Sequence, residues 1–187
     1  MTTRTSCLRL GSAALFAILM LFTATLPAQA AGRDKLDRDA TAVMGKLHAK
    51  YPETRKLAQK AAAILIFPEV YKAGLMIGGE TGDGVMRIKG KTVAYYNTSG
   101  ISYGLQIGAQ KYGYVLFIMT ASALKSLETA DGFELGIGPS VVVMEDAMAR
   151  KTSTTTINKD IYAFIFSQKG LMAGIGVQGN KLTRLEK

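Results

Sequence analysis

Ile64-Leu65-Ile66-Phe67-Pro68, followed by Gly74-Leu75-Met76-Ile77-Gly78, is where this chain changes from a helical to an extended pattern. The run before Pro68 is short, apolar and rich in β-branched and aromatic residues, as strands are. Gly74-Leu75-Met76-Ile77-Gly78 has two echoes, Gly104-Leu105-Gln106-Ile107-Gly108 and Gly170-Leu171-Met172-Ala173-Gly174, all of the form G-L-x-x-G. In a strand, residues i, i+2 and i+4 share a face. Each copy therefore sets two glycines on one face and leaves that face almost bare. Glycine weakens a strand interior, so its repeated use implies close approach of another layer or sharp bending at a corner. The spacing of the copies is irregular, which argues for hairpins of one compact sheet system and against a solenoid.

Outward from that stretch, strands are expected at 64–67, 73–80, 84–89, 92–97, 102–110, 114–119, 133–138, 154–157, 161–167 and 171–178. Turns are expected at Gly82-Asp83-Gly84, Lys89-Gly90-Lys91, Ser99-Gly100, Tyr112-Gly113 and Lys169-Gly170. The stretch 120–129 departs from this pattern: Thr120 can cap a helix carrying Ala123, Leu124 and Leu127. Upstream, Leu36, Ala40, Val43 and Leu47 recur at helical spacing, so a helix is expected over 34–50. Tyr51-Pro52 ends it, and Pro52 can open a second helix through Glu53, Leu57, Ala58 and Ala61. The fold class expected is α+β: a mostly antiparallel sheet forming a bent sandwich or partial barrel, with two N-terminal helices and one inserted helix.

The first 30 residues read as a cleavable secretory signal: Arg4 and Arg9, an apolar run over 13–26, then Pro27-Ala28-Gln29-Ala30 as the cleavage signature. That run is about 14 residues, short of the roughly 20 a membrane-crossing helix needs. Cys7 is the only cysteine and leaves with the signal, so the exported chain, 31–187, has no disulfide and no thiolate. Removing Arg4 and Arg9 lowers the formal net charge from +9 to +7. A basic exported protein favours anionic partners, of which phospholipid headgroups are the abundant ones, while nucleic acid is scarce there. The Ala-Gln-Ala signature looks bacterial, so the expected location is the periplasm, peripheral to a membrane.

Enzyme chemistries fail by absence. His48 is the single histidine and is expected as a solvated helix residue, so neither a Ser-His-Asp set nor a histidine metal cluster can form. Gly174-Ile175-Gly176-Val177-Gln178-Gly179 matches G-x-G-x-x-G, but a dinucleotide fingerprint also needs a following helix and an acidic residue about 20 positions on. Glu80 and Asp83, beside Gly82 and Gly84, read as a hydrated turn, without the ligand spacing of a calcium loop. Asn97-Thr98-Ser99 likewise reads as a turn. The tyrosines at 95, 96, 103, 112, 114 and 162 are expected to fill the core with hydroxyls near its rim. No catalytic residue, metal site or cofactor is expected.

The polar feature that remains is the N-terminal helical pair. Between Arg33 and Lys60 stand eight cations and four acids. Basic amphipathic helices can lie on anionic bilayers, while Asp34, Asp37 and Asp39 in the first turns would suit the helix dipole instead.

Taken together, 63–68, 72–79, 82–85, 102–110, 117–120 and 170–174 resemble the SYLF domain, also called the Ysc84 domain, over about Leu36 to the C-terminus. The resemblance implies lipid binding. Eukaryotic SYLF domains bind phosphoinositides through a basic N-terminal segment, and some fungal members bind and bundle actin. Carried onto this chain, the lipid-binding residues are Lys35, Arg38, Lys46, Lys50, Arg55, Lys56 and Lys60, and the structural glycines are Gly74, Gly78, Gly104, Gly108, Gly170 and Gly174. Export makes cytosolic actin an unlikely partner. The expected function is non-catalytic binding of anionic phospholipid. The rival is an envelope scaffold whose bare glycine face and tyrosines meet a protein partner.

Overall fold

The computed structural model describes residues 26–129, 133–134, 141–144, 159–170 and 180–185. By contact density the chain separates into two compact units, residues 1–35 and 36–187; the sheet, both cores and the clefts below belong to the second. In chain order the elements are α1 (Leu26–Lys50), α2 (Thr54–Lys60), β1 (Ala63–Ile88), β2 (Lys91–Ile118), α3 (Ala121–Thr129), β3 (Phe133–Glu134), β4 (Val141–Met144), β5 (Ile161–Gly170) and β6 (Lys181–Leu185). The class is α+β with one bent, unclosed six-stranded sheet, as the sequence leads one to expect. The expected strands over 154–157 and 171–178 lie outside the described residues, as does Gly174. Among the described residues no helix is long and apolar enough to cross a membrane.

The dominant element is one very long antiparallel hairpin. β1 pairs with β2 from Ala63↔Ile118 to Ile88↔Lys91, and its two-residue turn places Lys89 at φ 49° and Gly90 at φ 79°. Two successive positive φ values give the primed turn whose twist matches paired strands. Of the five expected turns only this one is a turn. Gly82-Asp83-Gly84 is inside β1, Ser99-Gly100 and Tyr112-Gly113 are inside β2, and Lys169-Gly170 ends β5. Asn97-Thr98-Ser99 is likewise strand, paired on both edges, with Asp83, Gly82 and Thr81 of β1 and with Thr183, Leu182 and Lys181 of β6. Separate expected strands therefore merge, because the glycines interrupt the side-chain pattern without interrupting the backbone ladder.

Those glycines fold the ribbon over. The register slips between Leu75 and Ile77, where the first two G-L-x-x-G copies face one another and Gly74 pairs with Gly108. The irregularity falls at the first two copies of the motif, while the third extends beyond the described residues. Beyond the bend the two halves of the ribbon lie one against the other. A Cβ on Gly82 would sit 2.5 Å from the Glu69 carbonyl oxygen, and one on Gly84 would sit 2.6 Å from the Phe67 ring. The other edge of β2 is shared: β6 takes 95–99 and β5 takes 110–118. β4 joins β5 in parallel, the one parallel pair among the described strands.

Period-two alternation then assigns each strand two cores. Leu65, Phe67, Met86, Tyr96, Tyr114, Leu116, Ile118 and Ala163 face one core, which α3 closes with Ala123 and Leu127. Ile66, Val85, Val115, Phe117, Tyr162 and Phe164 face the other, where Ala40 and Leu47 of α1, Tyr51 of the connection and Leu57 of α2 pack. Tyr96, Tyr112, Tyr114 and Tyr162 are buried core residues, as expected, while Tyr95 is half-buried and the side chain of Tyr103 lies outside the described residues. The Ala123 amide donates to Thr120 Oγ1 (3.2 Å), the expected cap of α3. α1, by contrast, begins at Leu26 and not near 34, so Asp34, Asp37 and Asp39 lie beyond its first turn in the full chain.

Candidate functional site

Asp37 instead clamps α1 to the β1–β2 hairpin. Thr92 Oγ1 donates to its Oδ1 (2.5 Å) and Tyr95 OH to its Oδ2 (2.8 Å). Arg87 Nη2 lies 3.5 Å from Oδ1 and donates to the Asp37 carbonyl oxygen and to Thr41 Oγ1, both at 2.8 Å. Burial alone would raise the Asp37 pKa; the two hydroxyls and the guanidinium outweigh it and hold the carboxyl below its ordinary value.

With the helix fixed in this way, one of its sides walls a cleft of about 540 Å³. Val43, Leu47, Tyr51 and Phe166 give it an apolar lining, and Lys46 and Lys50 stand exposed on its rim with Lys111 of β2 opposite. Lys50 Nζ lies 5.0 Å from the Tyr51 ring centroid, close enough for a cation–π contact. Lys111 pairs with Glu69 at 2.5 Å, and that hydrogen bond raises its pKa. Apolar lining under a cationic rim suits an amphiphile with an anionic head.

The seven expected lipid-binding cations are all exposed. Only Lys46 and Lys50 come together at this cleft. Arg55 lines a separate one, and Lys35, Arg38, Lys56 and Lys60 line neither. Lys111 was missed because strand position alone does not tell which helix it will face.

A second polar feature is hidden in the fold of the ribbon. Glu80, expected in a hydrated turn, is only 8% exposed, and Lys72 only 6%. Their charges are 3.7 Å apart. Tyr112 OH donates to Glu80 Oε1 (3.0 Å), as does the Asn180 side-chain amide, and Tyr114 OH donates to Thr98 Oγ1 (2.7 Å). Burial first, then the neighbouring Glu80 charge, pushes the Tyr112 phenol well above its ordinary range. Asp83, its expected companion, is exposed and accepts from Asn97 Nδ2 (2.8 Å) instead. Successive odd and even positions point to opposite faces, so Glu80 and Asp83 could not converge in a continuous strand. The network is an internal tie between distant strands.

Exposed apolar side chains occur where the ribbon bends: Ile77 is 60% and Ile101 72% exposed. The two are diagonal neighbours across the hairpin, since Ile77 pairs with Tyr103 and Ile101 with Gly79.

Compared with known families, residues 99–187 match the model described as Ysc84, Las17-binding protein actin regulator. The match begins inside β2, so α1, α2 and β1 precede it. A search of the curated proteins gives no match.

Proposed function

From the premise that residues 99–187 belong to the Ysc84 (SYLF) family, a family of binding domains, we propose that this protein binds anionic phospholipid at a membrane surface without catalysis. The observation that carries this reading is the cleft in which Lys46, Lys50 and Lys111 rim the apolar side chains of Val43, Leu47 and Phe166. In this reading the segment 1–30 directs export and the domain works on the periplasmic face of the envelope, where acidic headgroups are the most abundant anions. Its basic character adds long-range attraction to such a surface.

Each surface lysine near an anionic bilayer contributes about 1 kcal/mol. The Lys46→Gln/Lys50→Gln variant should therefore bind phosphatidylglycerol vesicles roughly 30-fold more weakly, since two such contributions amount to about 2 kcal/mol. Co-sedimentation with phosphatidylglycerol and phosphatidylcholine vesicles tests the proposal, and equal, negligible binding of the natural protein to both refutes it. A protein partner in the envelope is the second reading, favoured by Ile77 and Ile101 at the bend. Under it, lipid-free envelope extract would yield a partner whose capture is lost in Ile77→Ser/Ile101→Ser.

A further inference from the structure

On the opposite side of α1 lies a second cleft, of about 510 Å³. His48 of α1, Arg55 of α2, and Arg87 and Lys89 of the hairpin surround apolar side chains that include Met44 and Ile64. Among the described residues no carboxylate lines it, whereas Asp39 and Glu69 line the first cleft. Arg87 is shared with Asp37 through Nη2, but its buried Nε has no acceptor. Three cations thus meet around an apolar wall, and among the described residues only Arg87 faces an acid.

His48 adds a titratable donor. The Thr54 hydroxyl gives its proton to the Tyr51 carbonyl oxygen (2.6 Å), so toward His48 Nδ1, 2.8 Å away, Thr54 Oγ1 can only accept. The neutral ring therefore carries its hydrogen on Nδ1, and Nε2 is the nitrogen left over. Burial first, and then the Arg55 charge, lower the pKa of this imidazole. The other charged groups lining the cleft, Arg87 and Lys89, are cationic too.

We propose that this cleft is a discrete site for a phosphate monoester bearing an apolar chain, the phosphate between Arg55, Lys89 and His48 and the chain along Met44 and Ile64. The inference rests on the anionic-lipid reading above and narrows it, from a charged surface to a single headgroup in a defined site.

The test uses the protein with dihexanoyl phosphatidic acid below its micellar concentration, and inorganic phosphate in a parallel titration, both followed by calorimetry and by the NMR signals of the single histidine. The soluble lipid should bind at least ten-fold more tightly than phosphate, and should shift the His48 titration toward higher pH. Arg55→Gln/Lys89→Gln should lose at least ten-fold in affinity; both side chains are exposed. Absence of binding by the soluble lipid, equal binding of inorganic phosphate, or an unchanged affinity in the double variant would each overturn the site. Vesicle co-sedimentation of the natural protein reads the surface reaction by itself, so vesicle binding that persists while the soluble lipid fails overturns this site alone.

Discussion

Replacing Glu80 by Gln keeps the side chain's shape and an acceptor oxygen for Tyr112 and Asn180, and removes only the charge opposite Lys72. Lys72 is then a buried ammonium with no counter-charge at the 3.7 Å position the carboxylate held. Breaking a buried pair from one side costs about 3–5 kcal/mol, because the desolvated charge that remains is uncompensated. The retained acceptor places Glu80→Gln toward the lower end, about 3 kcal/mol. For a domain of this size that corresponds to a fall in Tm of about 6–12 °C. Removing both charges in Lys72→Met/Glu80→Gln should bring most of the loss back, since it leaves no uncompensated buried charge and keeps the acceptor for Tyr112 and Asn180. Urea denaturation of the natural protein, both single variants and the double variant gives the coupling directly. A Glu80→Gln variant within 1 kcal/mol of the natural protein, or a double variant no more stable than the sum of its singles, refutes the reasoning.

Other perturbations follow from the same contacts. Gly84→Val should cost about 3 kcal/mol or more, because its Cβ would lie 2.6 Å from the Phe67 ring and 2.7 Å from the Ile66 carbonyl oxygen and must part the two ribbon layers; thermal unfolding reads it, and a Tm unchanged from the natural protein would contradict the close approach. Asp37 is held below its ordinary pKa, so its stabilisation is fully present above the unfolded-state value of about 3.9 and is lost as pH falls through the folded-state value. Asp37→Asn should accordingly be less stable at pH 7 and show a shallower acid limb in stability against pH, a difference that vanishes if the clamp contributes nothing.

Much of the architecture was legible because it is written in alternation. Leu65 and Phe67 against Ile66, and Leu116 and Ile118 against Val115 and Phe117, declare a sheet buried on both sides, and Leu36, Val43 and Leu47 declare the helix that covers one of them. Strand boundaries were not legible, since Gly82, Gly84, Gly100 and Gly113 carry the local signature of turns while acting as points where a second layer or a side chain approaches. Nothing short of the folded register could show that Glu80 returns to Lys72 and Tyr112 and meets Asn180. The sites were half legible. Lys46 and Lys50 could be picked out by charge and helical spacing, but their partner Lys111 and the residues Arg87 and Lys89 of the second cleft belong to strands and a turn whose placement depends on the bend. His48 was misjudged for a related reason: the hydroxyl that holds it, on Thr54, comes from the next helix.

These placements make α1 the common wall of both clefts, and that has a mechanical consequence. The helix is held by apolar packing of Ala40, Leu47 and Tyr51 against the sheet, which fixes its distance, and by the Asp37 clamp, which fixes its rotation and its position along the hairpin. Apolar contacts are non-directional, so they tolerate a turn of the helix that two hydroxyl donors and a guanidinium on one aspartate do not. Rotation in either direction would displace Lys46 and Lys50 relative to Lys111 and, in the same motion, His48 relative to Arg55 and Lys89. Arg87 belongs to the clamp and to the second cleft at once. Asp37→Asn should therefore weaken ligand binding at both clefts together although Asp37 lines neither, whereas Arg55→Gln/Lys89→Gln affects only one. Independent changes at the two clefts in the Asp37 variant would show that the helix is positioned by packing alone.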